Sequence, residues 1–177
     1  VRIAVFEGTK HSAAAPTKVR SQTVNTVWGH IAAQLTAQAR RPGLFDKLFA
    51  QADAQSVAPG SDAFRILFDE IGPCVVLIDE LVAYARTLSD RQLPGGTFEN
   101  FLTFIQQITE AAKLSTSGSL VVATLPESER EVGGAAGAKT LDVIGHTFGR
   151  LDAVWTPVAA DEGFEIVRRR LFADYID

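Results

Sequence analysis

The sequence predicts an α/β layered fold built on a mainly parallel sheet. Three observations carry that prediction. Short apolar, β-branched runs alternate along the chain with segments whose apolar residues recur at helical spacing. One of the short runs, Cys74 to Ile78, is apolar without a break, the pattern of a parallel strand covered on both faces. Finally, the chain has 177 residues of which 46% are hydrophobic, enough for one domain with a real core and too apolar for a disordered chain.

The elements follow in order. Val1 to Phe6 is apolar apart from Arg2 and predicts a strand running into a turn at Gly8. Thr9 to Gln22 is polar, contains Pro16 and is expected to be a loop. Val24, Val27, Trp28, Ile31 and Leu35 recur at helical spacing, and that helix is expected to end near Arg40, before Pro42-Gly43. Ser61 and Asp62 offer N-caps for a helix carrying Phe64, Leu67, Phe68 and Ile71, stopped by Gly72-Pro73. The Cys74–Ile78 strand comes next, then a helix from Leu81 to Leu88 and a loop at Leu93-Pro94-Gly95-Gly96. Thr97 caps a long helix with Phe101, Phe104, Ile105, Ile108 and Ala112 on one face. Ser119 to Thr124 is a third strand, Lys139 to Phe148 a helix, Val154-Trp155 a fourth short strand and Asp161 to Phe172 a last helix. Trp28 and Trp155 are expected in the core.

Composition limits the function classes. The net charge of −4 argues against a surface that is one nucleic-acid footprint. Cys74 is the only cysteine, so no internal disulfide forms, which fits a reducing compartment. No apolar run approaches the length of a membrane span. The absence of methionine leads to the expectation that the chain is a piece of a larger protein. His11, His30 and His146 lie far apart in sequence, and no metal-ligand spacing or serine-hydrolase elbow is present. Asp69-Glu70 is expected to be solvated, and Arg168-Arg169-Arg170 reads as a solvated face, with Glu165 in reach of Arg169; a contact to DNA or RNA is the alternative.

Chemistry is concentrated at Cys74-Val75-Val76-Leu77-Ile78-Asp79-Glu80. A buried strand that ends in adjacent acids presents two carboxylates where ligands bind in parallel α/β sheets. In P-loop ATPases the first such acid holds Mg²⁺ through water, and the second orients and polarises the water that attacks the γ-phosphate. The plainer alternative is a buried strand that ends in a polar loop. Two further residues bear on the choice. Thr124, with Ser128 as a weaker candidate, stands where a neighbouring strand would offer a polar contact to the γ-phosphate; a β-propensity threonine is the alternative. Arg150 follows a helix and precedes the last strand, where an arginine can stabilise charge on a phosphoryl group across a subunit boundary. Its alternative is a cation closing a helix C-terminus.

Taken together, the residues resemble the large AAA+-type P-loop ATPases of bacteria and archaea that carry a domain of unknown function and are often encoded beside DNA methyltransferase, restriction or phage-defence genes. The matching stretches are VRIAVFEGTK, TVWGHIAAQL, APGSDAFRILFDEIGPCVVLIDELVAYAR, FLTFIQQITEA, LVVATLPES and FGRLDAVWTPVAADEGFEIVRRRLF, nearly the whole chain. The resemblance implies a three-layer αβα core over residues 1–158, with 159–177 opening a helical region. It implies ATP and Mg²⁺ as cofactors, with Asp79 and Glu80 as the Walker B acids and Asp79 on the metal. Thr124 as the sensor and Arg150 as the trans arginine follow from AAA+ topology. A cytoplasmic homo-oligomer, away from membranes and with DNA or RNA as an indirect partner, is the accompanying expectation. A scaffold that keeps the ATPase fold without turnover is the alternative function.

One departure stands out. ATP binding needs G-x-x-x-x-G-K-[ST], and the nearest match, Gly133 to Thr140, has Ala138 at the second glycine and follows the acidic strand instead of preceding it. It reads as a loop opening a helix. In AAA+ order the four strands are the second to fifth of five, so the first strand, which lies in the middle of the sheet, and its phosphate loop are missing. The slot between the Val121 and Val154 strands is then expected to be filled from elsewhere or closed by direct pairing.

Overall fold

Arg2–Glu7 forms the first strand, β1, and one turn of 3-10 helix follows at Gly8–Lys10. The computed structural model describes residues 1–88, 92–125, 141–146 and 168–169. The expected loop over Thr9–Gln22 is interrupted by a short hairpin: Thr17–Val19 (β2) and Gln22–Val24 (β3) pair antiparallel. Helix α1, Val27–Gln38, opens at Thr26, whose hydroxyl accepts from the Gly29 N–H at 3.0 Å. Two short helices then fill a stretch for which the sequence predicts none, α2 at Pro42–Leu48 and α3 at Ala50–Gln55. Pro42 stands in the first turn of α2, where its missing N–H costs nothing, so it starts a helix as well as following one.

Helix α4 is Ser61–Ile71. Ser61 belongs to the helix itself; Gly60 occupies the cap position with a φ of 93°, so neither Ser61 nor Asp62 caps the helix as expected. Cys74–Asp79 forms β4, and Leu81–Ala85 forms α5, shorter than its predicted span. Helix α6, Phe98–Leu114, is capped as predicted, Thr97 accepting from the Asn100 N–H at 3.2 Å. Its buried face carries Phe101, Phe104, Ile105, Ile108 and Ala111 in place of Ala112. Leu120–Ala123 is β5, and residues 141–146 are helical. Ser128, the Gly133–Thr140 loop, Arg150 and the Val154-Trp155 strand lie outside the described residues.

The fold is mixed α/β, with helices flanking a three-stranded sheet of order β1-β4-β5 in which every neighbour is parallel. The residue rows run Ile3–Val75–Leu120, Val5–Leu77–Val122 and Glu7–Asp79. Ala4, Phe6, Cys74, Val76 and Ile78 point into the core, where α4 and α6 pack. The opposite face is open: Ile3, Val5, Leu77, Leu120 and Val122 are 37–54% exposed. The unbroken apolar run of β4 therefore does not mean burial on both faces, as the sequence predicts; among the described residues only one face is covered.

The free edge of β1 is closed by side chains. Gln34 and Gln38 lie one turn apart on α1 and each meets the backbone of one β1 residue twice. Gln34 Oε1 accepts from Val5 N–H at 3.2 Å and its Nε2 donates to Val5 O at 2.8 Å. Gln38 does the same at Ile3, at 3.1 and 2.6 Å. A primary amide carries the same donor and acceptor as a peptide group, so the pair stands in for a neighbouring strand.

Candidate functional site

Parallel strands in register bring their C-terminal ends to one line. Glu7 is level with Asp79, and the Thr124 N–H donates to Ile78 O at 3.0 Å, continuing the β4–β5 ladder past the last strand residue. Side chains alternate along a strand, so Glu7, Asp79 and Thr124 all emerge on the side of the open apolar face.

The hydrogen bonds at this row are specific. Thr124 Oγ1 donates to Asp79 Oδ1 at 2.5 Å. The Glu80 N–H donates to Asp79 Oδ1 at 3.0 Å and to Thr124 Oγ1 at 3.2 Å. The three residues, 44 and 45 positions apart across the two strands, thus form one closed group. Asp79 and Glu80 are exposed, and among the described residues no hydrogen bond reaches Asp79 Oδ2.

Backbone geometry separates the two acids. Glu80 has φ 54° and ψ 40°, the left-handed region, which costs an L-residue roughly 1–2 kcal/mol. The turn ends β4 abruptly and starts α5 at the next residue, so Asp79 continues the strand row while Glu80 leaves it. Gly8 makes the turn possible from the neighbouring strand. A Cβ on Gly8 would lie 2.2 Å from Glu80 O and 2.9 Å from Tyr84 Cβ, so only glycine lets the end of β1 pass this close to the acidic peptide.

Asp79, Glu80 and Thr124 are therefore brought together as the sequence predicts, while Arg150 and Ser128 fall outside the described residues. Among the described residues no group of three or more His, Cys, Asp or Glu side chains could hold a metal ion. No helix among the described residues is long and apolar enough to cross a membrane.

The family model of the DUF499 N-terminal domain matches residues 1–154. The chain belongs to the DUF499 family. No curated protein and no solved structure matches it.

Three features of this DUF499 chain differ from the sequence reading or were left out of it. Glu7 adds a third carboxyl to the row, with Lys10 Nζ 2.6 Å from its Oε2. Its signal was present, since it ends an apolar strand as Asp79 does. Of the three histidines expected to be far apart, two are not: the His11 and His30 rings meet at 4.4 Å between centroids. Asp69 is likewise no free surface acid. It accepts from the Thr116 N–H and from the Ser115 and Thr116 hydroxyls, tying α4 to the end of α6. Those bonds, the Thr116 N–H first, hold its carboxyl below the usual value.

Proposed function

We propose that this DUF499 chain supplies the hydrolytic side of an AAA+-type ATPase site, with Asp79 and Glu80 as Walker B acids and Thr124 as the sensor. The observation that carries the reading is the closed group at the ends of β4 and β5. A threonine on one strand reads the carboxylate on the next, and the following acid is turned out of the strand by a left-handed residue. A strand tip held in a costly backbone conformation, with both acids exposed, is better explained by use than by stability.

The strand order supports the same reading. The N-terminal, acidic and sensor strands are adjacent in AAA+ sheets in the order observed for β1, β4 and β5. β5 has no partner on its outer side among the described residues, as it would if the central strand were supplied from elsewhere. The described carboxylates suit a hydrated magnesium ion, whereas the chain contains no G-x-x-x-x-G-K-[ST] cradle for the phosphates. ATP with Mg²⁺ would supply the phosphoryl group and the charge that neutralises it.

The roles of the chain's own residues follow. Asp79 Oδ2 is the oxygen available to metal-bound water, while Oδ1 is engaged by Thr124 and Glu80. Glu80, aimed away from the strand, would accept the proton of the attacking water. Thr124 donates its hydroxyl proton to Asp79 and stands at the edge where a γ-phosphate would lie. Arg150 is proposed to act across a subunit boundary, in a homo-oligomeric working form; the proposed DNA-related or phage-defence setting rests on the sequence resemblance alone.

The test is Glu80→Gln in the full-length protein. Nucleotide binding should be retained and hydrolysis should fall by at least about a hundredfold, because an amide keeps the shape without taking the proton. Turnover in the variant equal to a measurable wild-type rate would refute the role of Glu80, and absence of turnover in the wild-type protein would favour a scaffold without catalysis.

A further inference from the structure

We infer that His30 is a proton-sensitive latch on the outer edge of β1: neutral, it fastens Gln34 across Val5, and protonated, it releases Gln34 and opens that edge to main-chain pairing. The argument begins with counting donors. Gln34 Nε2 has two hydrogens, one directed to Val5 O and the other to His30 Nδ1, both at 2.8 Å. The amide cannot be turned over, because Oε1 must face the Val5 N–H. His30 Nδ1 must therefore carry a lone pair, and the neutral ring has its proton on Nε2. An imidazolium has N–H at both positions. Its Nδ1–H would oppose the Gln34 N–H, and the amide could not keep both its partners.

The surroundings favour the neutral ring. His30 lies half-buried between Phe6, 5.5 Å away edge-on, and His11, whose own ring stacks on Phe6 at 4.6 Å. These rings border a cavity of about one water's size, completed by Asn25, Thr26 and Tyr84. Burial, reinforced by the neighbouring His11, pushes the His30 pKa down to about 4. The other titratable groups nearby do not oppose this. Burial pushes Tyr84 up to about 12, so it stays neutral; burial also lowers His11, with Glu7 and Lys10 acting in opposite senses. The Asp53 carboxylate is taken up by Asn25 and Thr26. Gln38, with no histidine behind it in the structure, holds Ile3 in the same geometry and provides an internal reference.

Amide exchange of the chain by NMR between pH 7.5 and 3.5, a window that spans the lowered His30 pKa, tests the latch. Protection at Val5 should fall by roughly two- to tenfold on acidification, the worth of one ordinary hydrogen bond, while Ile3 stays protected. His30→Asn, whose carbonyl can replace the Nδ1 acceptor without titrating, should make Val5 protection independent of pH. The ¹⁵N shifts of the native His30 ring provide a second readout that needs no variant, and at pH 7.5 they should report a bare Nδ1. A protonated Nδ1 at pH 7.5, Val5 protection unchanged while His30 titrates, or simultaneous loss at Ile3 and Val5 would each overturn the inference.

Discussion

Replacing Asp53 by alanine should unfasten the start of α1 at a cost that can be worked from the structure. The Asp53 carboxylate is buried, 4% exposed, and belongs to α3. Its Oδ1 accepts from the Thr26 N–H at 2.9 Å and the Thr26 hydroxyl at 2.6 Å, and its two oxygens share the Asn25 N–H at 3.1 and 3.0 Å. Alanine leaves two backbone donors unpaired, each costing about 1–3 kcal/mol. It also removes an anion from a helix N-terminus, worth roughly 0.3–1 kcal/mol. A loss of about 3–5 kcal/mol is expected, against a usual total of about 5–15 kcal/mol. Asparagine keeps one acceptor and should cost about half as much. Gly29 gives an independent check, since a Cβ there would stand 2.0 Å from Asp53 Oδ1. Gly29→Ala should destabilise the native chain and become nearly neutral in the Asp53→Ala background. Urea unfolding followed by the fluorescence of buried Trp28 measures all four variants. An Asp53→Ala loss below about 1 kcal/mol, or additive costs for the two sites, would show that the carboxylate is not what holds this corner.

Other outcomes bear on the site. Glu80→Gly should raise stability by about 0.5–1 kcal/mol by relieving the left-handed residue while abolishing hydrolysis in the full-length protein; a thermal melt showing destabilisation would remove the argument from strain. Thr124→Val should leave the melting temperature within a few degrees, since the hydroxyl is exposed, yet lower turnover at least about tenfold with nucleotide still bound; unchanged turnover would count against the sensor role. Calorimetric titration of the 177-residue chain with ATP and Mg²⁺ should show no binding below millimolar, and a micromolar dissociation constant would bring the Lys139 loop back as a cradle. Stability should also decline in mild acid. His30 is held below its unfolded value of 6.5, to about 4, so the unfolded state takes up its proton first. The contribution is complete above pH 6.5 and is lost as pH falls toward 4; with a discount for partial exposure, about 1 kcal/mol should separate pH 7.5 from pH 5 in urea unfolding.

Much of the site could be read before any coordinates. Asp79 and Glu80 end an apolar run, Thr124 ends another, and parallel strands of similar length place such ends side by side. Less legible were segments in which local pattern and structure part. The β2–β3 hairpin is two strands of three residues each, too short and too polar to show alternation. Pro42 reads as a helix stop, and only the path of the chain shows that it also begins α2.

The sequence alone determined the α/β class, the cap at Thr97, the core faces of α4 and α6 and the acids at the end of β4, because each depends on a periodicity or a short local motif. Tertiary structure decided which groups meet. It brought Thr124 to Asp79, His11 to His30 and Gln34 to the backbone of Val5, and among the described residues it left one apolar face of the sheet open. Those contacts join residues far apart in the chain, and a hydrogen bond needs its partners within about 3 Å. Only the packing of helices on the sheet sets distances to that tolerance, and no pattern of residue types along a single strand or helix encodes them.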